Sequence, residues 1–285
     1  MNLFALKLGK KMNEYKNMHY FDAADDLTRA IESKVVPTDV VLDIGCGIAP
    51  INYFRPSLHL MIEPWQEYAD ILSYRHQGDK SVIVLKIGGL EVLTKLQDNS
   101  VDSIFLIDVI EHLEKEEGKK LILEMERVAR QQVVLFTPLG FMPQHIEDGQ
   151  KDGWGLGGAE MQEHKSGWLP EDFSNKWDFY ICESYHDKDY NGEPLEQVYG
   201  AFYAIYNIES VLNIEQPTSF SNIRRPLPSE VELEKVLSHK ADLTNEILTL
   251  KNEHLDLTNR LSSVTEELER IKNHPVCKLL SKFMR

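Results

Sequence analysis

Short apolar runs alternate with amphipathic stretches through the first half of the chain. The runs Val40-Val41-Leu42-Asp43-Ile44, Leu58 to Glu63, Ser81 to Ile87, Val101 to Val109 and Gln132 to Thr137 each have the length of a strand. Gly-Cys-Gly comes after the first, Gly88-Gly89 breaks the third, and Pro138 stops the fifth. Trp65 to Arg75 and Lys115 to Arg130 carry helical patterns between them, and residues 1–34 read as one or two amphipathic helices. Strands alternating with helices predict a mostly parallel sheet covered on both faces.

Residues 138–170 break this rhythm. They are rich in glycine, hold three prolines and two tryptophans, and show no period. A loop of that length within a domain is commonly functional. Two aromatic-rich strands come next, near Phe179 to Tyr185 and Val198 to Tyr206. Asn191-Gly192 marks a turn in their connection, and they are expected as an antiparallel pair closing the sheet edge.

Residues 209–229 hold Pro217, Pro226 and Pro228 among serines and asparagines and read as a linker. A heptad register then runs from Leu233 to Ile271. Its a positions are Leu233, Lys240, Ile247, His254, Leu261 and Leu268, and its d positions are Val236, Leu243, Leu250, Leu257, Val264 and Ile271. Ten of these twelve are apolar, which marks an association seam. A helix of 39 residues reaches about 58 Å. Glu246 and Glu267 at g would face Lys251 and Lys272 at e of a parallel partner, so a parallel homodimer is expected, with a trimer as runner-up and a single helix folded back on the catalytic domain as the alternative. The predicted boundaries are a catalytic domain at 1–208, a linker at 209–229, a coil at 230–273 and a basic amphipathic tail at 274–285.

Charge sharpens this division. The 285 residues carry 46 acidic and 31 basic side chains, a net of −15. Residues 1–228 hold 36 acids against 22 bases, whereas residues 229–285 are near balance at 10 against 9. An acidic domain argues against a nucleic-acid partner bound by bulk electrostatics. Three distant cysteines, Cys46, Cys182 and Cys277, form no metal cluster or disulfide framework and suit a reducing compartment. The N-terminal segment lacks the long apolar core of a signal peptide, and no run reaches membrane-span length, so a cytoplasmic location is expected. The last ten residues carry three bases, no acid and six apolar side chains. Such a tail suits peripheral contact with the inner face of a membrane, or with a partner protein.

The densest chemical signal is Asp43-Ile44-Gly45-Cys46-Gly47. A glycine loop after a first strand lets backbone approach a ligand, and Glu63, at the end of the next strand, can accept both hydroxyls of a ribose. A dinucleotide would need a third glycine and a full helix facing its pyrophosphate. Ala49 holds the third position, and Pro50 and Pro56 truncate the helix. A phosphate-free nucleoside such as S-adenosylmethionine fits this loop better.

The segment resembles motif I of class I S-adenosylmethionine-dependent methyltransferases. Glu63 resembles their ribose-binding acid. Val101 to Leu113 resembles their fourth strand joined to its Glu-His-Leu element, here Glu111-His112-Leu113. The resemblance spans roughly residues 35–206 and implies a Rossmann-like seven-stranded sheet with one antiparallel strand. By position it implies that Asp43, Gly45, Cys46 and Gly47 line the methionine and ribose, with Asp108 near the sulfonium. Two departures stand out. The third glycine of motif I is missing, and Lys86-Ile87-Gly88-Gly89-Leu90 stands where many members place an acid near adenine.

A hydroxyl acceptor needs a base, and the candidates are His164, His112 and His145. Trp154 and Trp168 either stack on a sugar or pin the loop. The spacing of His, Asp and Glu matches no metal template, so no metal ligands are assigned. Domain, loop and coil together resemble bacterial enzymes that modify cell-surface polysaccharides, which implies a glycan hydroxyl as acceptor. Methylation of a small metabolite or lipid precursor is the rival, and a non-catalytic scaffold is disfavoured by the Asp43/Gly45/Gly47/Glu63 set.

Overall fold

Strands buried on both faces need a layer of helices above and below, and the chain supplies it. The computed structural model describes residues 17–145, 149–188, 193–208 and 228–276. The chain divides into two units, Met1–Asn213 and Ile214–Arg285. Residues 1–16 of the expected N-terminal helices, the Asn191-Gly192 turn, most of the expected linker, Cys277 and most of the tail lie outside the described residues.

The first unit holds eight strands: β1 (Met18–Phe21), β2 (Val40–Ile44), β3 (Leu58–Ile62), β4 (Val82–Leu85), β5 (Val101–Ile107), β6 (Ala129–Pro138), β7 (Asp178–Lys188) and β8 (Pro194–Asn207). Its described helices are α1 (Ala24–Glu32), α2 (Gln66–Arg75), α3 (Gly89–Lys95) and α4 (Lys115–Val128). One sheet runs in the order β1-β7-β8-β6-β5-β2-β3-β4. Only β8 is antiparallel to its neighbours β6 and β7.

Successive residues of each strand serve opposite faces. Leu42, Ile104, Leu106, Val133 and Leu135 pack with Leu121, Met125 and Val128 of α4 on one side. Val41, Phe105, Val134, Phe136 and Tyr203 pack with Leu27 and Ile31 of α1 on the other. This double burial is why the central strands read as continuous apolar runs.

Three expectations need correction. The sheet has eight strands, not seven, because Met18–Phe21 pairs in parallel with β7 instead of extending a helix. Four residues on a half-buried edge are too few for a period to show. The β7–β8 pair does not close the sheet edge: β8 lies inside, between β6 and β7, and β1 adds beyond them. Gly88-Gly89 does not merely break β4 but begins α3, where a Cβ on Gly89 would overlap the Ile44 side chain. Close helix-on-strand packing there outweighs the poor helix propensity of glycine.

The second unit contains α5 (Pro228–Asn273), one uninterrupted helix of 46 residues. Leu243, Ile247, Leu250 and Leu257 on it are all exposed. No helix among the described residues is long and apolar enough to cross a membrane.

Gly118 of α4 lies against the fully buried Trp168 ring, and a Cβ there would overlap that ring and crowd Ile110. Gly118→Val is therefore expected to lower stability by about 1–3 kcal/mol through overpacking. Urea unfolding should show a reduced midpoint at unchanged slope; an unshifted midpoint would mean that α4 and Trp168 separate at no cost.

Candidate active site

The strand order reverses at β2, whose successor β3 lies to one side and whose other neighbour is β5. In such sheets the crevice forms at the carboxyl ends of the diverging strands. Gly45 leaves β2 at φ +64° and Gly47 comes next at φ +56°, both in the left-handed region that glycine enters freely. Side chains are also sterically excluded there, by Val109 at Gly45 and by the Trp154 ring at Gly47.

Two buried acids shape the turn. Asp43 Oδ2 accepts the Ile51 N–H at 2.9 Å and lies 3.1 Å from His59 Nε2, so it braces the loop from beneath. Glu63 accepts the Gly47 N–H on Oε2 at 2.9 Å and the Trp65 N–H on Oε1 at 2.8 Å. Burial pushes the Glu63 carboxyl above its usual range, partly opposed by these two amides. Each oxygen keeps a second lone pair for a ligand. Cys46 is buried between these acids, and burial raises its thiol far from the thiolate range, so it lines the site without being a nucleophile.

The second wall comes from β5. Asp108 turns the chain at φ +52°, with its N–H bonded to the Phe136 carbonyl at 3.1 Å. A single 3₁₀ turn, Ile110–His112, comes directly after. Glu111 is buried, and Thr137 Oγ1 donates to its Oε2 at 2.9 Å. Burial and the adjoining Asp108 carboxyl both raise Glu111, and desolvation raises Asp108.

The long loop returns His164 to this wall. His164 Nδ1 donates to the Met142 carbonyl at 2.7 Å and His112 Nδ1 to the Glu163 carbonyl at 3.1 Å. The two rings meet edge to face at 4.9 Å. Burial lowers both, His112 to about 4 with help from His164, so both are neutral at pH 7. The structure thus brings together two of the three candidate histidines. The third, His145, is exposed, 3.3 Å from Glu163 Oε1, and does not line the cavity. Its place in the loop carried no sign of which way it would face.

One cavity of about 800 Å³ collects Asp43, Gly45, Cys46, Gly47, Glu63 and Asp108 together with His112 and His164. That volume suits a small-molecule site. Sequence reasoning missed His186 of β7, which lines the same cavity with its Nε2 buried and without a hydrogen-bond partner. It also missed Tyr68 and Asp152. The Asp152 carboxylate accepts from Tyr68 Oη and from the N–H groups of Trp154, Leu156 and Gly158. The resulting turn lays Trp154 across Gly47 and edge-on to Tyr68. Trp168 has the other role foreseen for these tryptophans: it is fully buried, donates to Ser166 Oγ at 2.9 Å, and pins the loop.

Residues 42–137, about a third of the chain, match the sequence model of the family described as "Methyltransferase domain". Over those residues the chain is similar to that family, and the glycine turn, Glu63, Asp108, Glu111 and His112 of the site fall within them. Comparison with curated proteins gives no match. Among solved structures the chain is similar to magnesium protoporphyrin IX methyltransferase (ChlM) from Synechocystis PCC 6803 with bound SAM. Identity there is 12%, covering 64% of this chain and 77% of that one, with a TM-score of 0.39. A SAM-dependent methyltransferase from Aquifex aeolicus shares 17% identity over 63% and 89%, at 0.36. The YcgJ protein from Bacillus subtilis shares 15% over 64% and 98%, at 0.43.

Asp152→Ala removes the acceptor of four donors at once. It should release Trp154 from Gly47 and red-shift its emission, with Trp154→Phe identifying the signal. Tyr68→Phe, which deletes one donor, should cost only about 1 kcal/mol. An unshifted Asp152→Ala spectrum would show that another contact seats the ring.

Proposed function

We propose that the chain moves a methyl group from S-adenosylmethionine to a hydroxyl of a small polar acceptor. One observation carries the reading: a two-glycine turn, a buried ribose-type acid and neutral imidazoles converge on a single cavity at the sheet's reversal point. The donor set fits this cofactor and not a dinucleotide, since no helix starts at the Gly45–Gly47 turn to receive a pyrophosphate. Glu63 offers free lone pairs to two ribose hydroxyls, and Asp108 supplies a carboxyl for the cationic end. When bound, S-adenosylmethionine supplies an electrophilic methyl whose sulfur leaves with the C–S electron pair as a neutral thioether. The protein's part is alignment of acceptor oxygen and methyl, and removal of the hydroxyl proton to a neutral imidazole of the cavity, His112, His164 or His186.

For the acceptor, a hydroxyl of a cell-surface glycan or its precursor is the reading we favour. The resemblance in domain order supports it, as does a polar wall that includes Gln144, Gln162 and Lys165. A small metabolite is the alternative, distinguished by whether surface glycans lose a methyl group when the protein is absent. A pure scaffold role is disfavoured by the convergence of Asp43, Gly45, Gly47 and Glu63 on one cavity.

For assembly we favour a parallel homodimer through α5. Its seam residues Ile247, Leu250 and Leu257 are more than half exposed in the single chain, an arrangement that association would relieve. A basic tail at 274–285 would then meet a membrane surface or partner protein in two copies.

Glu63→Gln should weaken S-adenosylmethionine binding at least 10-fold in calorimetry, about 1.4 kcal/mol or more; parental affinity would sink the cofactor assignment. Introducing Ile247→Glu with Leu250→Glu should halve the mass in light scattering. An unaltered mass would remove the seam from assembly.

A further inference from the structure

Glu111, His112 and His164 each present one ligand atom, and these atoms lie within 4.8 Å of one another. No sequence spacing foretold this, because His164 reaches the other two from the far end of the loop. The two histidines are prepared in the same way. Each donates Nδ1–H to a backbone carbonyl, His112 to Glu163 and His164 to Met142, which makes Nε2 of each the lone-pair nitrogen. That is the outer-shell arrangement characteristic of metal-bound imidazole. Glu111 is held alike: Thr137 donates to its Oε2, and the carboxyl also shares a hydrogen bond with Asp108.

The framework around the three groups is braced. The N–H groups of Lys165 and Ser166 both bond to the Glu111 carbonyl, at 2.7 and 3.0 Å. Ser166 Oγ and Trp168 Nε1 both reach the Ile110 carbonyl at 3.3 Å. The loop segment bearing His164 is thus stitched to the turn bearing Glu111 and His112. Such rigidity is what a ligand set needs and what a loop-anchoring histidine does not. The Asp108 carboxyl adjoins Glu111, so two acids and two imidazole lone pairs gather here, and the Lys165 charge reaches His112. Lys165 also lines the cavity and is exposed.

We propose that Glu111, His112 and His164 bind a divalent first-row transition ion at the acceptor end of the cavity. Two imidazole nitrogens and one carboxylate favour Mn²⁺, Fe²⁺, Co²⁺ or Zn²⁺ over Mg²⁺ or Ca²⁺, which take oxygen donors. Ligand bonds of about 2.0–2.2 Å require the three atoms to close slightly from their present spread, a movement within side-chain rotation. Three protein ligands leave positions open. A pair of neighbouring hydroxyls on the acceptor would fill them, so the site selects a vicinal diol. The ion lowers the pKa of a bound hydroxyl. With Nε2 of His112 and His164 on the ion, the unpartnered Nε2 of His186 is left to take the released proton. The oxygen then forms its bond to the methyl carbon as the C–S bond breaks and the sulfur keeps the electron pair. This step rests on the methyl-transfer reading; the ion site itself does not.

The test uses full-length protein dialysed against chelator, with Mn²⁺ as the probe and electron paramagnetic resonance as the readout. The expected result is one tight Mn²⁺ per chain, displaced by Zn²⁺, with affinity at least 10-fold weaker in His112→Ala, His164→Ala and Glu111→Gln. His145→Ala, on the same loop but outside the cavity, should bind as the parent does. Parent protein that takes up no Mn²⁺, or ligand variants that bind it as tightly as the parent, would overturn the site. S-adenosylmethionine calorimetry on each variant confirms a folded cofactor pocket; a variant failing it is replaced by His164→Asn or His112→Asn, for which the same weakening is expected. Mn²⁺ binding without S-adenosylmethionine binding in the parent would overturn the methyl-transfer reading and leave the ion site standing.

Discussion

Two adjacent parallel strands, β2 and β5, end at the same level of the sheet, and their chains must leave without colliding. Everything at the site depends on how that is done. Gly45 and Asp108 both enter the left-handed region within a residue or so of their strand ends. The pair of sharp exits opens the cleft and aims backbone amides and carboxyls into it. Gly45 and Val109 touch across the gap, so the two exits constrain one another. Asp108 adopts a conformation unusual for a side-chain-bearing residue, and backbone strain of that kind is held only where the surroundings over-determine it. Here the Asp108 N–H to Phe136 carbonyl bond and the adjoining 3₁₀ turn supply that constraint.

The long loop completes the cavity through two unlike anchors. Trp168 is an apolar plug, with Lys115 Nζ 3.7 Å above its ring and bonded to Gly167 O and Asp172. Asp152 is a polar hub. It gathers backbone amides and the Tyr68 hydroxyl around one carboxylate, and these donors hold it below its usual range despite burial. Apolar anchoring fixes where the loop returns to the sheet. Polar anchoring fixes the ring that lies on the glycine turn. A loop held at both points has little entropy left to lose when a ligand arrives, which favours binding.

The parts legible in the sequence were those written locally. The β2 run, its glycine turn and the acid at the end of β3 are contiguous or 20 residues apart, and the spacing of strand, turn and strand dictates their meeting. The central strands were legible because double burial leaves few polar positions in them. Long-range partnerships were not. Tyr68 and Asp152 are 84 residues apart, and nothing in either neighbourhood signals the other. The four-residue β1 has no period, and its identity comes from a pairing with β7 that lies far along the chain. His145 and His164 looked equivalent in the loop. Their hydrogen-bond partners decide that the second turns inward, onto the Met142 carbonyl, and the first outward, toward the Glu163 carboxylate.

The acidic domain gains a physical meaning from the site. Most of its described carboxylates are on the surface, where water solvates them. A few are not. Asp43, Glu63 and Glu111 are each almost wholly removed from solvent, and burying carboxylates carries a cost that folding alone does not recover. Asp43 has His59 and a backbone amide, and Glu63 has two amides, which offset much of that cost. Glu111 has only a neutral threonine hydroxyl and another acid as side-chain hydrogen-bond partners. Its environment is the least compensated of the three and lies where acceptor chemistry would occur. A structural carboxylate would be expected to gain a basic partner, as Asp102 does with Arg130 elsewhere in the same sheet. Glu111 instead faces two imidazoles locked in the tautomer that offers lone pairs and not protons. Two such imidazoles repel a further lone pair and attract a cation, which is why the proposed ion is placed in this corner of the site.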